Sequence, residues 1–378
     1  MPHPNSSPQI LAIGPFPPTV TGAAKNTAII CDALEARGAV VFRIPTNKTR
    51  ARTEHVRSAA TYAERIKGFA ANLTKLGVQR KVDPSATSIY LVADGGNGVA
   101  LTAAYARAAV TRYRQLVVHH RSYNHIRNYS PMMSHLLKTA PEKTLHVFLD
   151  PVMESGYKEA YGIDFRSTYV PNAATCDVQP SAHPYARDRP APITIGFLSN
   201  LVEDKGFDVV ADAFAALGQR HGNNLRFLVA GRPVGNANEA RLRVLQTALG
   251  GRLDYRGEIF GENKSDFFRE CDIFVFPTRH TQEAQPNVLY EAMASGCAII
   301  STRWAGIPWM LEGTTSSLIE PTAGQASQIA NAVEGFFQPD GFNSARRHQV
   351  EAFSQRKNDA ERRYTLLLRY LLNDLSEI

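Results

Sequence analysis

Short apolar runs, each passing into a polar or glycine-bearing loop and then into a helical pattern, recur along nearly the whole chain. In the first half they are Gln9–Ile13, Ala39–Ile44, Ser88–Ala93, Gln115–Val118, Thr144–Leu149 and Thr168–Val170. In the second they are Ile193–Leu198, Leu225–Ala230, Leu253–Arg256, Ile273–Pro277 and Ala298–Ser301. Strands separated by helices cannot pair as hairpins, so this alternation implies parallel sheets covered on both faces. The pattern breaks between Pro171 and Pro192, where five prolines stand in a stretch with little apolar periodicity. A chain of 378 residues exceeds one ordinary core, and the break divides it. We expect an α/β protein of two doubly wound domains, 1–172 and 193–355, joined by a Pro-rich linker, 173–192, and ending in a charged helix.

Several chemistries lack their residues. The first strand–loop–helix unit has no GxGxxG, since prolines separate Gly14 from Gly22, and the second strand ends without an acid. That removes the dinucleotide oxidoreductases. There is no GxxxxGK[ST] phosphate loop, no HExxH, no Cys/His cluster and no Asp-x-Asp, so neither a P-loop nucleotidase nor a metal centre is expected. Cys31, Cys176, Cys271 and Cys297 are scattered, as buried free thiols of a reducing compartment would be. No apolar run is long enough to span a bilayer and the N-terminus lacks a secretory pattern, so we expect a cytoplasmic protein. Residues 1–175 hold 21 Lys and Arg against 11 Asp and Glu, whereas the whole chain is only +7. The basic half permits peripheral contact with the inner face of an anionic membrane, as does the basic amphipathic pattern of Ala51–Leu76, although a helix packed on a sheet reads the same way. No nucleic-acid partner is expected.

The candidate chemistry lies in Cys271–Met310, a buried strand, a polar loop, and a helix from near Pro286. Glu283 stands at the loop mouth and Glu291 about one turn inside the helix. A helix N-terminus offers unpaired N–H groups to an anion, and carboxylates accept from sugar hydroxyls. Lys205, in the loop after Ile193–Leu198, belongs at the same sheet edge and could neutralise a diphosphate. Together these residues describe a site for a nucleoside-diphosphate sugar. In the first half, His119 and His120 follow a strand, at the edge where α/β sheets bind ligands, and the glycine run after Asp94 allows close backbone approach.

Glu283, seven residues, Glu291 and then Ala292-Met293-Ala294-Ser295-Gly296 resemble the motif of the retaining GT-B glycosyltransferases of family 4, the glycosyl transferases group 1. Cys271–Thr278, Gly306-Ile307-Pro308, Val170-Pro171-Asn172 and Asp204-Lys205-Gly206 are similar to further motifs of that family. The resemblance is strong over Ile193–Glu312 and diffuse before it. It implies two Rossmann-like domains facing a central cleft, with the donor on the second domain, the acceptor on the first, and the terminal helix, 356–378, crossing back. It further implies that Glu283 contacts the transferred sugar, Glu291 the ribose, and Lys205 the diphosphate together with backbone N–H groups near Asn287 and Val288. Asn200 and Gly22 would approach the phosphates, backbone at Glu258-Ile259 the base, and His119 or His120 the sugar. The implied activity is metal-independent transfer, with retention, from a nucleotide sugar to a glycan or lipid-linked acceptor, with no cofactor. A catalytically inactive binding protein of the same shape and a nucleotide-sugar epimerase are the alternatives. Three departures stand out: Ser199-Asn200 replaces a usual Gly-Arg, Ala284-Gln285-Pro286 a usual Gly-aromatic-Gly, and Trp309 a frequent Glu.

Overall fold

The computed structural model describes residues 7–18, 21–46, 67–68, 71, 83–180, 192–337 and 341–375. The helix expected over Ala51–Leu76 lies almost wholly outside the described residues. Two compact units are present, one formed by Met1–Thr175 with Asp359–Ile378 and the other by Cys176–Asn358.

The first unit contains strands β1 (Gln9–Gly14), β2 (Val40–Pro45), β3 (Thr87–Val92), β4 (Gln115–His119), β5 (Thr144–Phe148) and β6 (Ser167–Tyr169). They form one parallel sheet in the order β2-β1-β3-β4-β5-β6. Its described helices are α1 (Gly22–Glu35), α2 (Val99–Val110), α3 (Asn124–Arg127), α4 (Pro131–Leu137) and α5 (Pro151–Tyr161). All six residues of β3 and all five of β5 are buried, as expected of strands covered on both faces. Ile10, Ala12, Tyr90 and Val117 of the sheet pack with Ile30, Cys31 and Leu34 of α1. The order of strands reverses between β1 and β3, which places the loops after these strands at the topological switch point.

The second unit has strands β7 (Ile193–Leu198), β8 (Leu225–Ala230), β9 (Leu253–Tyr255), β10 (Ile273–Phe276), β11 (Ala298–Thr302) and β12 (Ser317–Ile319). They too are parallel, in the order β12-β11-β10-β7-β8-β9. Helices α6 (Phe207–His221), α7 (Asn236–Leu249), α8 (Gly261–Glu270), α9 (Asn287–Ala294), α10 (Ile307–Met310) and α11 (Gln325–Gly335) alternate with them. Phe197, Phe207, Phe214, Phe227, Ile273 and Ile300 are fully buried in its core. Here the switch point falls between β7 and β10, so the loops carrying Lys205 and Glu283 leave the sheet side by side.

The last helix, α12 (Gly341–Leu371), begins fifteen residues before position 356, where the terminal helix is expected from the sequence. Its first turns read as polar, but Ala345, Arg346, Gln349 and Phe353 are buried along one face. Arg346 makes an ion pair with Asp272 there, an arrangement that hides a core-facing stripe inside a charged pattern. Its residues through Asn358 belong with the second unit and those from Asp359 with the first, where Leu367, Leu368 and Leu371 enter the core. All four cysteines are free and buried, as expected, and burial pushes the Cys31 thiol up to about 12.

Candidate functional site

The site of the second unit is built on two loops pressed together. After β7 the chain makes a short turn, Glu203–Lys205, closed by Gly206 in the left-handed region at φ 82°. A side chain at Gly206 would place its Cβ 2.5 Å from the carbonyl oxygen of Pro277, at the end of β10. Glycine is therefore required twice, by conformation and by contact. Gly231, after β8, is as constrained, because a Cβ there would lie 1.7 Å from the Ser199 carbonyl oxygen. The two loops are then joined by two ion pairs and a histidine–carboxylate contact. Lys205 pairs with Glu283, Arg279 donates to both carboxylate oxygens of Asp208 at 2.8 Å, and His280 Nδ1 lies 2.7 Å from Asp204. The Thr278 hydroxyl donates to Glu283 Oε2 at 3.3 Å. Lys205 and Glu283 are both mostly enclosed, with 21% and 13% of their side chains exposed.

Beyond this pair comes α9. Pro286 is its N-cap and provides no side-chain cap, so the first turn keeps its N–H groups free of that competition. Asn287 and Val288 are its first two residues, and the Asn287 side-chain oxygen is buried without a hydrogen-bond partner among the described residues. Glu291 lies a turn further on and pairs with Lys264 of α8 at 2.5 Å. Lys264 was not a candidate from sequence, because a lysine in the polar pattern of α8 reads as solvated. The departing loop is an enclosed feature: Ala284 and Gln285 are buried, Gly306 N–H donates to the Ala284 carbonyl at 3.2 Å, and the Tyr290 hydroxyl donates to Gln285 at 3.1 Å. Trp304 Nε1 holds the same loop by donating to the His280 carbonyl at 2.8 Å. Trp309 faces the Arg356 guanidinium of α12, 4.7 Å from its ring centre. Asn200 is exposed, Ile259 half-buried and Glu258 exposed.

Three of the candidates belong to the first unit. Gly22 opens α1, where the Thr21 hydroxyl accepts from Ala24 N–H at 3.1 Å. His119 and His120 are each 1% exposed, but a strand sends consecutive side chains to opposite faces. His119 Nδ1 lies 2.8 Å from the Tyr90 hydroxyl, in a polar group that includes Arg121, Asn172 and Asn26. Its Nε2 is buried with no hydrogen-bond partner among the described residues. His120 stacks on Phe148 at 4.8 Å and its Nε2 lies 2.9 Å from His146 Nδ1, beside Tyr157. Burial holds both imidazoles well below the ordinary range, with Arg121 and His120 adding to the effect at His119, and His146 and His125 at His120. Both are therefore neutral near pH 7. Gly95, directly after Asp94, has a packing duty, since a Cβ there would meet Ser122 Cβ at 2.5 Å.

Two units of this kind, each a parallel six-stranded sheet with helices, make up the GT-B fold. Sucrose-phosphate synthase from Thermosynechococcus elongatus superposes with a TM-score of 0.71 at 15% identity, over 97% of this chain and 100% of its own. Anabaena HepE, solved in complex with UDP and glucose, superposes with a TM-score of 0.65 at 15% identity, over 96% and 99% of the two chains. At that identity the likeness shows the fold. Residues 192–338 match the model of the family described as Glycosyl transferases group 1. In sequence, the chain is 31% identical over 147 residues to the lipopolysaccharide core biosynthesis glycosyltransferase LpsE of Rhizobium meliloti, covering 38% of this chain and 39% of LpsE. It is also 28% identical over 116 residues to mannosylfructose-phosphate synthase of Agrobacterium fabrum, covering 29% of this chain and 25% of that protein. The matches thus span well under half the length of either relative.

Proposed function

We propose that this chain is a retaining, metal-independent glycosyltransferase that moves a sugar from a nucleoside-diphosphate sugar to a glycan or lipid-linked acceptor. The observation that carries the reading is the Lys205–Glu283 pair at the β7/β10 switch point, beside the uncapped start of α9. The group 1 match over 192–338 supports it, as do the activities in the relatives' names and the UDP and glucose held by HepE. In this reading Glu283 accepts hydrogen bonds from hydroxyls of the transferred sugar. Lys205 and the first N–H groups of α9, at Asn287 and Val288, neutralise the departing diphosphate, whose charge grows as the glycosidic bond breaks. Glu291 grips the ribose, backbone near Ile259 meets the base, and Asn200 and Gly22 approach the phosphates.

Between the two histidines we assign His119 to the sugar. Its unpaired, neutral Nε2 suits a hydrogen bond to a hydroxyl, whereas His120 is committed to His146 and the aromatic rings around it. Among the described residues no helix is long and apolar enough to cross a membrane, and peripheral attachment through the basic first half remains part of the proposal. Vesicle flotation with anionic lipid across a salt series tests it; binding indifferent to salt overturns the electrostatic form.

The decisive experiment is a donor screen with the purified chain, following nucleoside diphosphate release from UDP-, GDP- and ADP-sugars with and without EDTA. At least one donor should be consumed, EDTA should leave the rate unchanged, and Glu283→Gln should cut it on the order of a hundredfold or more. Product NMR should show the donor's anomeric configuration kept. No release from any donor, or a Glu283→Gln variant as fast as the wild type, overturns the proposal. Release of an isomerised free sugar without acceptor would favour the epimerase instead.

A further inference from the structure

Lys264 occupies a position that its own helix does not favour. It is the fourth residue of α8, in the N-terminal part where the helix dipole repels a cation. Its ammonium is turned instead onto Oε2 of Glu291, 2.5 Å away on α9, and the two side chains are only 26% and 14% exposed. The arrangement repeats that of Lys205 and Glu283, in which a lysine from a neighbouring segment holds Oε2 of a carboxylate that heads or lines α9. In both cases a lysine ammonium sits on Oε2, although only the Lys205 contact also has hydrogen-bond geometry, and the Lys264 contact with Glu291 is an ion pair.

We propose that Lys264 is the positioning residue through which this protein selects a ribonucleotide over a deoxyribonucleotide. The inference rests on the reading that Glu291 faces the ribose. A glutamate side chain has three rotatable bonds, and holding it ready for two hydroxyls costs conformational entropy that binding must otherwise supply. Lys264 fixes the carboxylate beforehand through Oε2, so Oε1 meets the ribose hydroxyls without reorganising. Lysine rather than arginine suits the role, because a point charge tied to one oxygen leaves the other accessible, whereas a guanidinium fork engages both. The pair also leaves no uncompensated carboxylate near an incoming diphosphate.

The test is calorimetric titration of the full chain with UDP, GDP and ADP and with their 2′-deoxy counterparts, for wild type, Lys264→Met, Lys264→Arg and Glu291→Gln. The wild type should bind one ribonucleotide about tenfold or more tightly than its deoxy form, a scale set by one charge-assisted hydrogen bond. Lys264→Met should weaken that ribonucleotide by about tenfold and change the deoxynucleotide by less than about twofold, so that the preference collapses. Lys264→Arg should restore part of it. The deoxynucleotide affinity doubles as the check that the variant is folded, and Lys264→Gln replaces the methionine variant if that one fails to fold. An undiminished preference in Lys264→Met, or a loss equal for both nucleotides, overturns the role of Lys264 and leaves the ribose assignment standing. A preference that survives Glu291→Gln overturns the ribose assignment and this inference with it. If no nucleoside diphosphate binds the wild type, the donor reading itself falls.

Discussion

The first unit buries four histidines, His119, His120, His125 and His146, and acid should find it there. His146 sits on β5 between His120 and the edge of Phe165, and burial lowers its pKa from 6.5 to about 3. A base depressed in this way is neutral in the folded state and takes up a proton only when unfolded. Its contribution is intact above pH 6.5 and is lost as the pH falls from there toward 3. At pH 5 the unfolded chain is protonated at that residue and the folded chain is not, a difference of about 2 kcal/mol from His146 alone. His119 and His120 are displaced in the same direction and add to it. The two tryptophans, Trp304 and Trp309, both lie in the second unit, which provides an internal control. Urea unfolding followed by far-UV circular dichroism at pH 7.5 and pH 5.0 should show the acid loss, and the tryptophan emission transition should move less. His146→Leu removes the proton uptake, so its stability should fall by about 2 kcal/mol less than that of the wild type between the same two pH values. Equal pH slopes in wild type and variant would refute the argument, as would a tryptophan transition that carries the whole effect.

Three further outcomes follow from single contacts. Gly206→Ala forces a side chain onto the Pro277 carbonyl at an unfavourable φ, and should cost roughly 1–3 kcal/mol in denaturant unfolding while lowering donor turnover by displacing Lys205. Arg346→Met leaves Asp272 without its cation in a largely enclosed site and should destabilise the second unit by about 3 kcal/mol, with Asp272→Asn in the same chain recovering part of the loss. Asp150→Ala removes a fully buried carboxylate that caps α5 through Met153 N–H at 2.7 Å and accepts from the Tyr123 hydroxyl. A loss of about 2 kcal/mol or more is expected, beyond that of an exposed cap, and a thermal melt unchanged from wild type would contradict it.

All the strands but β12 were legible, because parallel strands buried on both faces cannot avoid being continuous apolar runs, whereas β12 is three residues at the sheet edge and only partly buried. Ile193–Leu198 and Leu225–Ala230 are found with the boundaries read from the sequence. Helices α3 and α4, of four and seven residues, are too short to show a helical period, and α5 was also unread, yet two of the three carry their own start signals. Ser130-Pro131 and Asp150-Pro151 each join a capping side chain to a proline suited to the first helical turn. The adjacent His119 and His120 were also partly decodable, since consecutive strand residues cannot serve one site from the same face. What local pattern could not supply was the pairing of side chains distant in the chain. Lys205 and Glu283 are 78 residues apart, and their meeting depends on β7 and β10 being neighbours in the sheet.

That pairing alters how the two glutamates are to be understood. Read from spacing alone, Glu283 and Glu291 are two anions beside a proposed diphosphate site, an arrangement that opposes its ligand. Each is instead matched to a lysine from a different segment, so the local charge is balanced before any nucleotide arrives. A balanced site can exchange partners. If a diphosphate draws Lys205 away, Glu283 is released toward a sugar hydroxyl, and two charge-assisted contacts replace one. Lys264 has no such second partner in this scheme and stays on Glu291. The two lysines should therefore respond differently to substitution. Lys205→Met should lower turnover more than ground-state nucleotide affinity, because charge on the leaving diphosphate develops in the transition state. Lys264→Met should act on affinity and on ribose preference, with turnover at saturation nearly kept. Steady-state kinetics of the two variants on one donor, set beside their nucleotide titrations, checks the distinction. Equal losses in the same parameter for both would mean that the two pairs do a single job.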